Sequence, residues 1–191
     1  MEIMPLRRPL KSLRMYKFFK RSFDIFVALI SLIFLMPVFI PIMLILKFTG
    51  ENEIFYFQSR VGINNNEIKI FKFATMLKDS ENIGTGIYTA KNDPRILPFG
   101  NFLRKTKINE LPQIINILVG EISLVGPRPL IRRTFELYEL SHQKIIFSMK
   151  PGLTGIGSII FRNEEEILNN TEMNLEDYYK KYITPYKANL E

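Results

Sequence analysis

From Ile25 to Leu46 the chain runs for 22 residues without a charged side chain, and Ser31 is the one hydroxyl among them. This stretch constrains the fold more than any other feature. As a helix it is long enough to cross the hydrocarbon core of a bilayer. It is too long for the apolar part of a secretory signal, and no small-residue cleavage site follows it. Its N-terminal flank holds Arg7, Arg8, Lys11, Arg14, Lys17, Lys20 and Arg21 against Glu2 alone, so +6 of the net +7 lies in residues 1–21. Basic charge abutting an apolar run suits an anionic lipid surface. A pI near 9.5 taken alone would point to nucleic acid. The placement of the charge argues against it, and no nucleic-acid partner is expected.

Pro37 and Pro41 lie just past the middle of the run. Each removes a backbone donor and crowds the preceding turn, so a bend or break is predicted near Met36–Pro37. Residues 25–36 as a helix reach about 18 Å, roughly half a bilayer. Two arrangements fit equally: a transmembrane helix with a proline kink, and a helix–break–helix that enters and leaves by one face. In the second, backbone groups freed near Pro37 need partners, from Ser31 or a neighbouring helix. Lys and Arg in the flank put the N-terminal side in the cytosol.

The remaining residues suffice for one domain of ordinary size. The chain has no cysteine, so disulfides, thiolate metal sites and cysteine nucleophiles are excluded. His142 is its one histidine, which excludes a multi-histidine metal site. Residues 54–58 and 67–73 are rich in β-formers, the second alternating polar and apolar, with a turn from Gly62 between them. They predict a hairpin. Residues 77–98 read as loop. From Phe99 to Leu118 the spacing is helical, and Pro112 inside it predicts either two helices or one starting near Asn109. An amphipathic helix is expected over 130–149, another helix over 163–182, and no terminal element after it.

Four strings carry chemistry: Phe57 to Gly62, Lys72 to Met76, Asp93 to Arg95 with Arg104 to Gln113, and Val125 to Pro129. Arg128 lies between Pro127 and Pro129, on stiff extended backbone suited to a bidentate grip on phosphate. Alone it also fits an ordinary solvated turn. Glu110, near a predicted helix start, is in isolation either a surface carboxylate favoured by the helix dipole or an acid–base or metal group. Arg60, Arg95 and Arg104 gain meaning only if they converge. A basic set converging on one carboxylate would suit a nucleotide diphosphate with Mg²⁺.

In this order and spacing the strings resemble those of the bacterial sugar transferases, the small monotopic phosphoglycosyl transferases that act on polyprenyl phosphate. The resemblance runs from about Lys20 to Gly155. It takes in Phe23-Asp24, the mid-run proline, Arg60-Val61-Gly62, Lys72-Phe73 with Thr75-Met76, and Asp93-Pro94-Arg95. Further on it takes in Glu110-Leu111-Pro112-Gln113, Gly120-Glu121, Val125 to Pro129, and Pro151-Gly152-Leu153-Thr154-Gly155. The implied fold is mixed α/β and helix-rich. It has a basic juxtamembrane segment at 1–21, a re-entrant membrane helix at 22–48, and a cytosolic catalytic-type domain at 51–191 with a β-hairpin and interfacial amphipathic helices. The membrane break would involve Ser31, Met36 and Pro37.

The resemblance implies transfer of a sugar 1-phosphate from a nucleotide diphosphosugar to polyprenyl (undecaprenyl) phosphate, with Mg²⁺, on the cytosolic face of the bacterial inner membrane. The family works through an aspartyl phosphosugar on an Asp-Glu pair. Carried over, Glu110 and Asn109 are the catalytic positions. Arg60, Lys72, Arg95, Arg104, Pro127 and Arg128 bind substrate, and Glu110 and Glu121 hold the metal. Association with an anionic lipid membrane is expected, together with a homo-oligomer or a partner transferase.

One departure bears on the chemistry. Asn109 stands where the family has the nucleophilic Asp, and an amide oxygen is neutral and a poor nucleophile. Ala74 replaces a usual Arg, and Ile156-Gly157-Ser158 replaces a Trp-containing string. Four readings remain open here. The chain transfers with Glu110 as nucleophile, base or metal ligand; it hydrolyses the same substrates; it binds them without catalysis; or Asn109 is a trapped mutant.

Overall fold

The computed structural model describes residues 10–84, 89, 93–169, 171 and 173–190. Its first element, α1, is a single helix from Leu10 to Phe48 with Pro37 and Pro41 inside it. The expected break at Met36–Pro37 is thus not a gap between two helices. Helical backbone carries through both prolines, and the expected boundary at residue 22 falls inside the same helix. Arg7 and Arg8 lie outside the described residues.

Packing explains why α1 tolerates the prolines. Leu32 and Leu35 on one side of Pro37 and Phe39, Ile42 and Leu46 on the other enter one core with Phe73 and Leu103. That burial offsets the backbone bonds the prolines forfeit. N-terminal to it, Ala28, Leu32 and Leu35 enter a second core with Ile70, Ile114, Ile117 and Ile122. The positions facing the protein are therefore 24, 28, 32, 35, 39, 42 and 46, spaced three and four apart, as on one stripe of a helix. The opposite face is bare and apolar: Phe23, Phe26, Ile33, Phe34 and Phe48 are each more than 60% exposed. Among the described residues this is the one helix long and apolar enough to cross a membrane.

The predicted hairpin is present. Strand β1 (Phe55–Val61) pairs antiparallel with β2 (Glu67–Phe73), Phe55 opposite Phe73 and Val61 opposite Glu67. Asn64 and Asn65 turn the corner with φ of 55° and 65°, a region asparagine enters readily. Helix α2 (Pro98–Lys105) begins on its proline, and α3 (Gln113–Val119) follows Pro112, so the two-helix reading of this segment is the one observed. A single 3₁₀ turn, Ile108–Glu110, joins them. Gly120, at φ 98°, ends α3.

Strand β3 (Ser123–Val125) pairs in parallel with β4 (Gly152–Thr154), a pairing the sequence did not announce. Between them the helix expected over 130–149 is two short ones, α4 (Arg132–Phe135) and α5 (Leu140–Phe147). Glu139 is extended, and Gln143 Nε2 donates to the Tyr138 carbonyl at 2.7 Å, capping the break. Beyond β4 come α6 (Ile156–Ile160), α7 (Glu164–Asn169), α8 (Leu175–Tyr178), a π-helical stretch (Tyr179–Ile183) and α9 (Thr184–Leu190). The helix expected over 163–182 is therefore interrupted, and α9 is a terminal element that was not expected.

Polar contacts lock α1 to the domain. Asp24 is buried and accepts from Ser123 Oγ at 2.7 Å and from the Leu124 amide at 3.2 Å. Lys20 donates to Ser123 Oγ and to the Val125 carbonyl, and Arg21 to the carbonyls of Ile117 and Leu118 at the end of α3. Lys20 and Arg21, read from sequence as lipid-facing, thus serve the protein interior. Asp24→Ala strands a buried hydroxyl, a backbone amide and the Lys20 ammonium, and should cost about 3 kcal/mol. The check is thermal unfolding in detergent micelles, where Asp24→Asn should lose less.

Candidate active site

Strand alternation and two turns build the site. Because paired residues of an antiparallel hairpin share a face, Tyr56, Gln58 and Arg60 of β1 lie beside Lys72 of β2. The guanidinium of Arg60 donates to the Pro129 carbonyl at 3.2 Å and to Gln58 Oε1. On the facing side the turn Ile108–Glu110 presents Glu110, and its N-cap Lys107 is held in the left-handed region at φ 60°. For a lysine that backbone is strained, a feature that clusters at functional sites.

Arg128 is aimed by backbone-to-backbone contact. The Gly126 amide donates to Thr154 O at 3.0 Å and the Gly152 amide to Pro127 O at 2.8 Å. A Cβ on Gly126 would come 2.4 Å from Lys150 O, and one on Gly152 would come 2.1 Å from Gly126 N. The Gly-Pro-Arg-Pro and Pro-Gly-Leu-Thr-Gly strings therefore pack against each other. No residue with a side chain fits at their contact. Pro127 acts here through its carbonyl, as part of the support for Arg128.

Glu110 Oε1 lies 3.4 Å from Lys72 Nζ and 3.8 Å from Arg128 Nη2. Burial pushes its carboxyl up, but Lys72, Arg128 and Lys107 together outweigh that and hold it down to about 2. It is therefore ionised at any physiological pH. Burial lowers the Lys72 ammonium to about 8, with Arg60 and Arg128 adding to the effect and Glu110 opposing it. Burial and Arg128 lower Arg60 to about 10. Next to Glu110, Asn109 is buried, and its Oδ1 has no hydrogen-bond partner.

Two cavities of about 530 Å³ each meet at this cluster. Gln58, Arg60, Thr89, Lys107, Glu110 and Arg128 line both. One extends over the hairpin toward Lys72, Thr75, Arg104 and Asn109. The other extends toward the C-terminal helices, to Ser158, Arg162, Tyr179 and Lys187. There the buried Lys187 donates to Glu164 Oε2 at 2.7 Å and to the Tyr179 hydroxyl at 3.0 Å.

The structure thus brings together Arg60, Lys72, Arg104, Arg128, Asn109 and Glu110. Two expected residues do not join them. Arg95 is buried, clamped by Asp93 through Nε at 2.8 Å and bound to the carbonyls of Ser80 and Ile83. It braces a loop and lines neither large cavity. Glu121 accepts from Asn116 Nδ2 at 2.5 Å, inside a network that ties α3 to β2, and also lines neither. Sequence reasoning passed over Lys107, although it sits inside the Arg104–Gln113 string; its left-handed backbone has no signature in the sequence. Arg162, Tyr179 and Lys187 carried no motif at all.

A cation-walled double cleft around one ionised carboxylate, in a protein with a helix long and apolar enough to cross a membrane, is suited to phosphate-type anions near a bilayer. Comparison with known proteins gives the family. The bacterial sugar transferase family profile matches residues 15–187. The exopolysaccharide production protein ExoY of Sinorhizobium fredii is 36% identical over 159 residues, covering 76% of this chain and 70% of its own length. The UDP-glucose:undecaprenyl-phosphate glucose-1-phosphate transferase of Escherichia coli is 38% identical over 165 residues, 82% of this chain but 34% of its own length. The undecaprenyl-phosphate glucose phosphotransferase of Komagataeibacter xylinus is 34% identical over 163 residues, 80% of this chain and 29% of its own. The chain belongs to the bacterial sugar transferase family, and it spans about a third of the longer of these relatives.

The Lys72 shift has a consequence for stability. Its folded value, about 8, lies below the ordinary 10.5. Below pH 8 the folded state keeps a buried ammonium at a cost on the order of 3 kcal/mol. That cost is relieved as pH rises from 8 to 10.5, because the unfolded chain then binds more protons than the folded one. In metal-free buffer, wild type should gain stability relative to Lys72→Met across that window, as read by chemical unfolding at fixed pH.

Proposed function

We propose that this protein moves a sugar 1-phosphate from a nucleotide diphosphosugar to polyprenyl phosphate, the first membrane step of a glycan assembly. The observation that carries the reading is the convergence of Arg60, Lys72, Lys107 and Arg128 on Glu110. Those cations match a diphosphate, which brings several negative charges into one place. The relatives' names supply the substrate class, UDP-sugar and undecaprenyl phosphate.

The packing of α1 supports a monotopic attachment on the cytosolic face of the inner membrane. The domain covers the helix from Lys20 to Leu46, about 39 Å of its length. If that stretch crossed the bilayer upright, β2 would be drawn in beside it, with the exposed Glu67 and Lys69 at membrane depth. A helix whose bare phenylalanine face enters the leaflet, while its other face keeps the domain, avoids that cost. Exposed Ile156, Ile159 and Ile160 of α6 add a second apolar contact with the interface.

Among the described residues no group of three or more His, Cys, Asp or Glu is placed to hold a metal. A magnesium ion riding on a diphosphate needs only one or two protein oxygens. The Glu110 carboxylate, which lines both cavities, suits that role. Such an ion would neutralise diphosphate charge.

The test is incubation of purified protein with Mg²⁺, labelled UDP-sugars and undecaprenyl phosphate. Lipid-linked sugar phosphate is expected, and it should vanish in EDTA and in Glu110→Gln. Free sugar phosphate in place of the lipid product would make the protein a hydrolase. Binding without either product would make it a non-catalytic member, a reading to which Asn109 lends its weight. Full activity in Glu110→Gln would overturn the site.

A further inference from the structure

Resting on the diphosphate reading above, we propose that Gln58 is a positioning residue. It aims the Arg60 guanidinium at the junction of the two cavities and leaves that positive charge to the phosphates of the ligand. Gln58 and Arg60 are two residues apart on β1, so their side chains lie on one face of the strand. Directly across the hairpin stand Ile70 and Ile68. Their side chains offer no acceptor, so the guanidinium finds its partners along its own strand and on the turn after β3. Nη2 donates to Gln58 Oε1 at 2.5 Å and Nη1 to the Pro129 carbonyl at 3.2 Å. Gln58 and Arg60 each line both cavities.

The two acceptors are neutral, which separates Arg60 from the other clamped arginine of this chain. Arg95 donates to the Asp93 carboxylate through Nε at 2.8 Å and Nη2 at 2.5 Å. Those bonds raise its value, and Arg95 lines neither large cavity. An arginine paired in that way has its charge cancelled locally and serves as a brace. Arg60 goes the other way. Burial and Arg128 lower it to about 10 even though Glu110 opposes them. A side-chain amide and a peptide carbonyl supply direction and no compensating charge. An arriving phosphate therefore meets a guanidinium already fixed in place and still in need of an anion.

The chemistry at position 58 is then constrained from two sides. Glutamate has nearly the same shape and would keep the bond to Nη2. It would also turn a neutral contact into an ion pair and set a negative charge beside the ligand. Methionine has a similar length, and it would leave the Arg60 charge intact while removing what aims it. Glutamine is both an acceptor and neutral.

Calorimetry on full-length protein in nanodiscs tests the role, with UDP and inorganic pyrophosphate as probes in the presence of Mg²⁺. Gln58→Glu should weaken both probes about tenfold while melting within about 3 °C of wild type. Arg60→Met should weaken them by about tenfold or more, and Gln58→Met about fivefold. Gln58→Met combined with Arg60→Met should bind no more than about twofold worse than Arg60→Met alone, because Gln58 acts through Arg60. If Gln58→Glu melts lower, the methionine cycle alone decides. A residue that merely packs would leave Gln58→Glu at wild-type affinity, or would let the two methionine changes multiply, and either result overturns the proposal. A wild type that binds neither probe overturns it together with the diphosphate reading. The expected pattern of affinities, with no lipid-linked product from any UDP-sugar, supports the positioning role and overturns only the transferase reading.

Discussion

The carboxylate of Glu110 is the fixed point of the site, and its neighbours arrive from separate parts of the chain. Lys72 comes from β2, Arg60 from β1, Arg128 from the turn after β3, and Lys107 from the turn that carries Glu110 itself. These cations repel one another, and burial together with that repulsion lowers Arg60 and Lys72. One buried negative charge cannot neutralise four positive ones, so the cluster holds an unmet demand for anion. The diphosphate proposed above would meet it. Each guanidinium is also anchored independently of the ligand, Arg60 on the Pro129 carbonyl and Arg128 by the glycine contact between the β3 and β4 turns. The site can therefore exist before its ligand arrives, and little reorganisation accompanies binding.

The same chain segments that make the site also seat α1. Ile70 of β2 and Ile114 and Ile117 of α3 lie on Ala28, and Phe73 of β2 packs edge-on against Phe39 at 5.2 Å. Lys72 lies in the strand whose Ile70 and Phe73 pack on α1, so one strand sets the position of this cation and of the long helix. Asn116 reinforces the coupling, accepting from the Phe71 amide at 2.9 Å and donating to the Lys69 carbonyl at 2.7 Å. The seating of α1 and the geometry at Glu110 are thus mechanically linked.

Legibility from sequence follows how local each cause is. The hairpin was readable because period-two alternation and an asparagine turn are written into adjacent residues. The division at Pro112 was readable for the same reason. The β3–β4 pairing was not, since its strands are three residues each and 26 residues of helix and turn separate them. Arg95 shows the limit for side chains. In sequence it is one more arginine in a string of cations, and only the fold reveals that Asp93 and two carbonyls already hold it. Glu121 fails for a similar reason, being committed to Asn116. A break near Pro37 was a sound local inference, and packing on both sides of the proline keeps one helical run through it.

Asn109 is the residue where local physics and function pull apart. Its side chain is buried with an oxygen that nothing in the protein satisfies, and an apolar residue of similar size would remove that cost. An aspartate in its place would add a second negative charge beside Glu110, drawing more of the Lys72 and Arg128 charge to the protein and leaving less for a ligand. The amide avoids that second charge while keeping a buried oxygen beside Glu110. A neutral acceptor beside a single ionised carboxylate leaves the cluster with a larger positive excess than an acidic pair would. A site so charged would hold a diphosphate, the ligand proposed above, more strongly in its ground state than an acidic pair would.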